Sequence, residues 1–217
     1  MNKDSLIWWD WVGRHTSQIQ SATFEHLRLT VIAVTAGFAI SLVLAVVSLR
    51  FRPLYAPIAG TAGVLYTIPS LALFALLLPI TGFTTLTAEI GLVSYTLAIF
   101  VRNFVEGIDD VAPEVVDAAD GMGYRPLRRF VSVDLPLATP AIIAGLRIAT
   151  VSTVGLVTVT GLIGQGGYGS FIQSGLARDF STEIMVGGGL SVAMAIVLDV
   201  VIVGIERVAT PWRRAQR

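Results

Sequence analysis

Three aspartates and three arginines (Asp117, Asp120, Asp134, Arg125, Arg128, Arg129) are gathered in DAADGMGYRPLRRFVSVDLP, Asp117 to Pro136, although only 14% of the 217 residues are charged. Carboxylates and guanidinium groups at this density can grip a partner surface or anchor a helix end, but they supply no nucleophile. The chain has no cysteine, which excludes disulfides, thiolate metal sites and cysteine nucleophiles. Its two histidines, His15 and His26, stand alone in the N-terminal segment with no second ligand group near in sequence, so no metal site is expected. A nucleotide cradle needs G-x-x-x-x-G-K-[ST] after a strand. The nearest candidate, GQGGYGS at Gly164–Ser170, has Ser170 where the lysine belongs, and the only lysine is Lys3. No cofactor is expected on this chain.

The surroundings of that segment are apolar. Hydrophobic residues make up 54% of the chain and the mean hydropathy is +0.75, well outside the range of soluble domains. Net charge is zero, which gives no signal for nucleic acid. The N-terminus MNKDSLIWWDWVGR lacks the basic and continuous apolar regions of a signal peptide. It reads as a retained interfacial segment (1–28), with Trp8, Trp9 and Trp11 suited to a membrane–water boundary.

Between Arg28 and Arg50 lie 21 uncharged residues, about 30 Å of helix and enough for one crossing. The uncharged run from Pro53 to Ala88 predicts a second span near Tyr55–Leu78, kinked at Pro69, with a turn at Pro79 and the following TGFTT. A third span is expected near Leu86–Val101, with Glu89 close to its outer end, a fourth over 135–159 containing Arg147, and a fifth over 183–205 containing Asp199. The glycines of GLIGQGGYGSFIQSGLARDFS, between the last two, predict a loop with a short re-entrant helix. The fold class is therefore all-α, a membrane protein of about five transmembrane helices over 29–206. A basic tail follows at 207–217.

Five spans put the termini on opposite sides. One face would hold ten basic residues and the other four, with Arg147 inside the membrane. The positive-inside rule then puts the N-terminus outside, the C-terminus inside and the loop 102–134 in the cytosol. Within that loop Pro113 suits a first helical turn, Glu114 complements the positive helix end, and Val115, Ala118, Ala119 and Met122 supply apolar positions. Gly123 suits a C-terminal cap, and Pro126 blocks continuation.

The series Asp117-Ala118-Ala119, three residues, Gly123, nine residues, Val133, one residue, Leu135-Pro136 resembles the "EAA loop" of permease subunits in bacterial ABC importers. That motif runs Glu-Ala-Ala, three residues, Gly, nine residues, Ile, one residue, Leu-Pro; Asp replaces Glu and Val replaces Ile here. TIPSLALFALLLP (67–79) and GLIGQGGYGSFI (161–172) are similar to the same family. The resemblance implies a short coupling helix that docks on a separate ATPase subunit, through Glu114, Asp117, Ala118, Ala119, Gly121, Gly123, Tyr124, Arg125, Leu135 and Pro136. It also implies two ATP-binding subunits carrying ATP and magnesium, a second permease chain, alike or different, and an external substrate-binding protein. The setting would be the bacterial cytoplasmic (inner) membrane.

TIPSLALFALLLPITGF, the short five-span core and GMGYRPLRRF look most like permeases for glycine betaine, choline and related osmoprotectants. Amino-acid permeases, such as those for methionine, share the coupling loop and the glycine-rich loop and stay open as an alternative. An ion-coupled secondary transporter is disfavoured, since no inverted repeat is visible. Aromatic cages recognise quaternary ammonium groups, yet Tyr55, Tyr66, Phe74, Tyr95 and Phe100 fall singly along the spans. Tyr66, Pro69, Arg147, Gly164, Gly166 and Gly167 are candidates for the translocation path or gate. Arg147, costly at mid-membrane unless paired or wetted, equally suits an ion pair with Asp199 or Glu206, or a subunit contact. The glycines suit either an outer gate or close helix packing.

Overall fold

The computed structural model describes residues 6–211, and among these every element is helical. Lys3 and the tail arginines Arg213, Arg214 and Arg217 lie outside the described residues. A short helix, α1 (Trp9–Arg14), leads into α2 (Thr16–Arg50), which runs 35 residues without a break. At about 1.5 Å per residue it spans about 52 Å, well past the uncharged core. The predicted span covers only its second part. Charge density marks where lipid ends, not where the helix ends.

The second predicted span differs from expectation. A 3₁₀ turn (Arg52–Leu54) opens α3 (Tyr55–Thr67), which is followed by α4 (Ser70–Thr81) at an angle of 99°. A proline kink inside one helix does not reach that angle. The cause is the pair Ile68-Pro69, both extended (ψ 127° and 133°), because proline drives its predecessor out of the helical region. The carbonyl of Ile68, freed by the break, accepts a hydrogen bond from the Tyr95 hydroxyl. Neither half is long enough to cross alone. Among the described residues four helices are long and apolar enough to cross a membrane, or five spans if the bent pair counts as one. Pro79 lies inside α4, and the turn falls within the predicted TGFTT at Gly82, whose φ is +69°. Thr87 fixes this turn by donating to the Gly82 carbonyl at 2.5 Å.

Helix α5 (Thr85–Asp109) extends eight residues beyond the predicted end of the third span. Arg102 is therefore helical and pairs with Glu106 one turn on, at 2.7 Å. At its tip Asp109 takes both Arg52 guanidinium nitrogens at 2.7 Å. The charged segment supplies α6 (Pro113–Gly121), α7 (Pro126–Arg129) and a π-helical turn (Phe130–Asp134). The turn runs directly into α8 (Leu135–Thr160). Beyond the glycine-rich loop come α9 (Gly169–Arg178) and α10 (Ser181–Ala209), the latter carrying Arg207 within the helix.

Helices α2, α5 and α8 form the core. Leu29, Ala33, Phe74, Ala88, Leu92 and Val157 pack as one buried cluster, and Val34, Ala45, Phe100, Phe104 and Ala149 as another. Small residues let the helices close up: a Cβ on Gly37 would sit 1.8 Å from the Thr96 hydroxyl oxygen. Helix α10 turns Val192, Ile196 and Val200 outward. The three tryptophans of the N-terminal segment have different surroundings. Trp9 is 72% exposed, whereas Trp11 is buried with Tyr168, Phe171 and Ala22. Its edge-to-face contact with Phe180 places it inside an aromatic cluster.

Because α8 carries the chain about 39 Å from Leu135 to Thr160, the charged segment and the glycine-rich loop sit at opposite ends of the bundle.

Candidate coupling and translocation sites

Helix α6 has the start and stop signals read from its sequence. Pro113 stands in the first turn with Glu114 beside it. At the other end the Tyr124 amide donates to the Ala119 carbonyl at 3.1 Å and the Gly123 amide to Asp120 at 2.9 Å. This paired closure needs a left-handed residue, and Gly123 has φ +79°. Of the predicted docking residues only Ala119 is turned inward, at 1% exposure. Glu114, Asp117, Ala118, Gly121, Gly123 and Arg125 are exposed, and Tyr124 is half-buried beneath the Arg128 guanidinium, 4.7 Å from its ring centre. Val115 and Met122 are also exposed. The four apolar positions thus divide, with Ala119 inside and Val115, Ala118 and Met122 outside. Leu135 and Pro136 open α8 and are half-buried.

The inner end of this unit holds a three-residue ion cluster. Arg129 donates to Asp120 on α6 at 2.7 Å and to Asp134 at 3.4 Å. Asp134 is 5% exposed, and its second carboxylate oxygen is buried without a hydrogen-bond partner among the described residues.

At the far end, Gly164, Gly166 and Gly167 all have positive φ. Glu25 and His26 of α2 hold this loop: the Glu25 carboxylate accepts from the Gly167 amide at 3.1 Å, and His26 Nδ1 from the Tyr168 amide at 3.2 Å. His26 Nε2 donates to the Val154 carbonyl at 3.0 Å. Both ring nitrogens of this buried histidine are thereby used within the fold. Gln165 ties the loop to the start of α5 through Thr85 and the Phe83 carbonyl. A cleft of about 450 Å³ opens here, lined by Glu25, Gly164, Gly166, Ser170, Gln173 and Ser174. Nothing in the sequence marked Glu25 or His26 as loop holders, since their partners lie 142 residues away. Glu89 lies at this same end, four residues into α5. Its carboxylate oxygens are enclosed and unpartnered among the described residues.

Between the ends, a second cleft of about 570 Å³ is lined by Tyr55, Gly63, Tyr66, Arg102, Asn103 and Glu106, with others. Tyr66 is 46% exposed and meets Tyr95 edge to face at 5.8 Å. Two aromatics that are 29 positions apart in sequence are thus brought together at the α3–α4 break, where Pro69 lies. Arg147 is not among the lining residues of this cleft. It donates to both oxygens of Asp199 on α10, at 2.7 and 2.9 Å, forming one of the ion pairs that its sequence position allowed. The six pathway candidates therefore fall in three places.

A broken second span, a short capped helix on the far side of α5 and a glycine-rich loop at the opposite end together describe an importer permease. The chain belongs to the family described as "Binding-protein-dependent transport system inner membrane component", which matches residues 37–212. It is a multi-pass inner-membrane protein. It is 35% identical over 190 residues to the "Choline transport system permease protein OpuBB" of Bacillus subtilis (strain 168), covering 87% of each chain. To the "Osmoprotectant import permease protein OsmW" of Salmonella typhimurium it is 33% identical over 198 residues, covering 89% of this chain and 92% of the relative. A 134-residue stretch, 62% of this chain and 24% of the relative, is 43% identical to the "Ergothioneine transport permease/ergothioneine binding protein EgtU" of Helicobacter pylori. Among solved structures, the inward-facing MetNI methionine ABC transporter matches with a TM-score of 0.77 at 21% identity, over 88% of this chain and 96% of that one. At that identity the match establishes the fold alone.

Proposed function

We propose that this chain is the transmembrane permease subunit of an ATP-binding-cassette importer for trimethylammonium osmoprotectants such as choline, glycine betaine or carnitine. It hydrolyses no ATP itself. It works with two ATP-binding subunits, a second permease chain and an extracytoplasmic binding protein, and α6 is the element that meets the ATPase. The observation that carries the reading is the set of relatives. The solutes in their names, choline, carnitine, glycine betaine and ergothioneine, share one chemical group, the trimethylammonium cation. The exposed Tyr66 ring in the central cleft supports it, since an aromatic face attracts such a cation.

The test is uptake in cells that lack other importers of these solutes and express the chain with its ATPase and binding protein. Labelled choline, glycine betaine, carnitine and ergothioneine are compared with methionine. ATP-dependent accumulation of at least one trimethylammonium solute, with none of methionine, is expected; the reverse pattern would replace the assignment with an amino-acid importer.

Orientation is tested separately. Ala118 is exposed on α6, so a cysteine introduced there into this cysteine-free chain should react with an impermeant maleimide only in inside-out vesicles. Labelling of intact spheroplasts would invert the assigned topology.

A further inference from the structure

Helix α6 is poorly rooted in its own chain. Of its nine residues only Ala119 is buried. The backbone link from α6 toward α8 passes through Gly123, an exposed left-handed turn with no atom within 4 Å of where its Cβ would stand. A single glycine turn transmits bending poorly, because glycine has no Cβ to confine its backbone. Yet a docked helix can move the bundle only if its displacement reaches a span. The π-helical turn Phe130–Asp134 passes without interruption into α8, and turns of this type interrupt regular helices most often where function needs an altered geometry.

We infer that Arg129 is a positioning residue that joins the coupling helix rigidly to α8, by holding Asp120 and Asp134 at once. Asp120 belongs to α6 and its side chain is 51% exposed; Asp134 is the residue just before α8 and its side chain is 7% exposed. The guanidinium of Arg129, a side chain 27% exposed, lies between them at 2.7 and 3.4 Å. A planar fork with five donors can serve two carboxylates in fixed directions, which a lysine ammonium cannot. The unpartnered oxygen of Asp134 adds to the argument. With Arg129 removed, a nearly enclosed carboxylate loses the one cation that faces it among the described residues, so the base of α8 must rearrange. The strut is thus a second, non-covalent route for force, parallel to the Gly123 turn.

This inference rests on α6 being the ATPase-docking element, and the experiment separates the two. Complexes of the chain with its ATPase and binding protein are purified and reconstituted, and labelled choline or glycine betaine uptake is measured beside ATP hydrolysis. Arg129→Gln should co-purify with the ATPase at the wild-type ratio and hydrolyse ATP within about twofold of wild type. Uptake per ATP should fall about tenfold, the scale on which single links of a coupling network act. Arg129→Lys should recover part of the ratio, and Asp120→Asn, which cuts only the outer arm at an exposed position, should fall between. If Arg129→Gln is not recovered from the membrane, Asp120→Asn decides: an unchanged uptake-to-hydrolysis ratio overturns the strut. Parallel loss of hydrolysis and uptake in Arg129→Gln also overturns it, by reducing Arg129 to a docking contact. Failure of the wild-type chain to co-purify with any ATPase would instead defeat the docking assignment itself.

Discussion

Gly123→Trp is expected to leave the protein in the membrane at wild-type level and to reduce ATP-driven uptake by at least about a hundredfold, equivalent to about 2.8 kcal/mol. Two costs combine. The position has φ +79°, where any side chain costs about 1–2 kcal/mol. The indole then projects into space that is empty within this chain, so any further loss must come from a partner that needs the space. Gly123→Ala separates the two. It carries the backbone cost with little added volume, and uptake should stay within about tenfold of wild type. Equal defects in both variants would mean that only the turn conformation matters. Full uptake with tryptophan would remove the turn from the docking surface.

The charged segment was legible because its signals are local. Pro113 at a helix start, Gly123 at a cap and Pro126 as a stop each act within one turn of chain, so spacing alone located α6. The Arg147–Asp199 pair was also within reach, since two opposite charges in otherwise apolar helices have few other partners. The α3–α4 break was only half legible. Proline at position 69 announced an interruption, but 99° rather than a modest kink depends on Ile68 also being extended and on Tyr95 receiving its carbonyl. The extra turns of α2 and α5 were illegible from hydropathy, which reports the lipid boundary and not the hydrogen-bond ladder. Glu25 and His26 gave no local signal. Their work is defined by amides of a loop that reaches them only after the bundle has closed.

A shared logic follows from where the polar groups lie. The two ends of the bundle are fixed by side-chain polar contacts: Arg129 with Asp120 and Asp134 at one end, Glu25 and His26 with the glycine-rich loop at the other. Between them the helices meet mostly through small and apolar residues, which hold no fixed hydrogen-bond geometry and can slide or tilt at low cost. Rigid ends on a compliant middle suit a machine whose ends take up force and whose centre must open.

The glycine-rich end supplies the second large effect. Gly169 opens α9, and a Cβ there would stand 2.1 Å from the Thr158 carbonyl oxygen and 2.8 Å from its carbon. Both obstacles are backbone of α8, which cannot swing aside as a side chain can. Gly161 closes the same contact from the other side, its would-be Cβ 2.5 Å from the Gly169 carbonyl carbon. Gly169→Val must therefore push α9 and the loop off α8, with a cost of about 3 kcal/mol, the upper part of the usual range for overpacking. For a chain of this size that corresponds to a fall in apparent Tm of about 6–12 °C in detergent. Gly188→Ala is the control. It too replaces a glycine at this end, on α10, but nothing lies within 4 Å of its Cβ position, so its Tm should stay within about 4 °C of wild type, about 1 kcal/mol. Because α6, the proposed coupling helix, lies at the opposite end, Gly169→Val should retain the ATPase partner while losing stimulation by the binding protein. An unchanged melting temperature for Gly169→Val would mean that α9 does not rest on α8. Parallel loss of the ATPase partner would mean that the two ends do not fold independently.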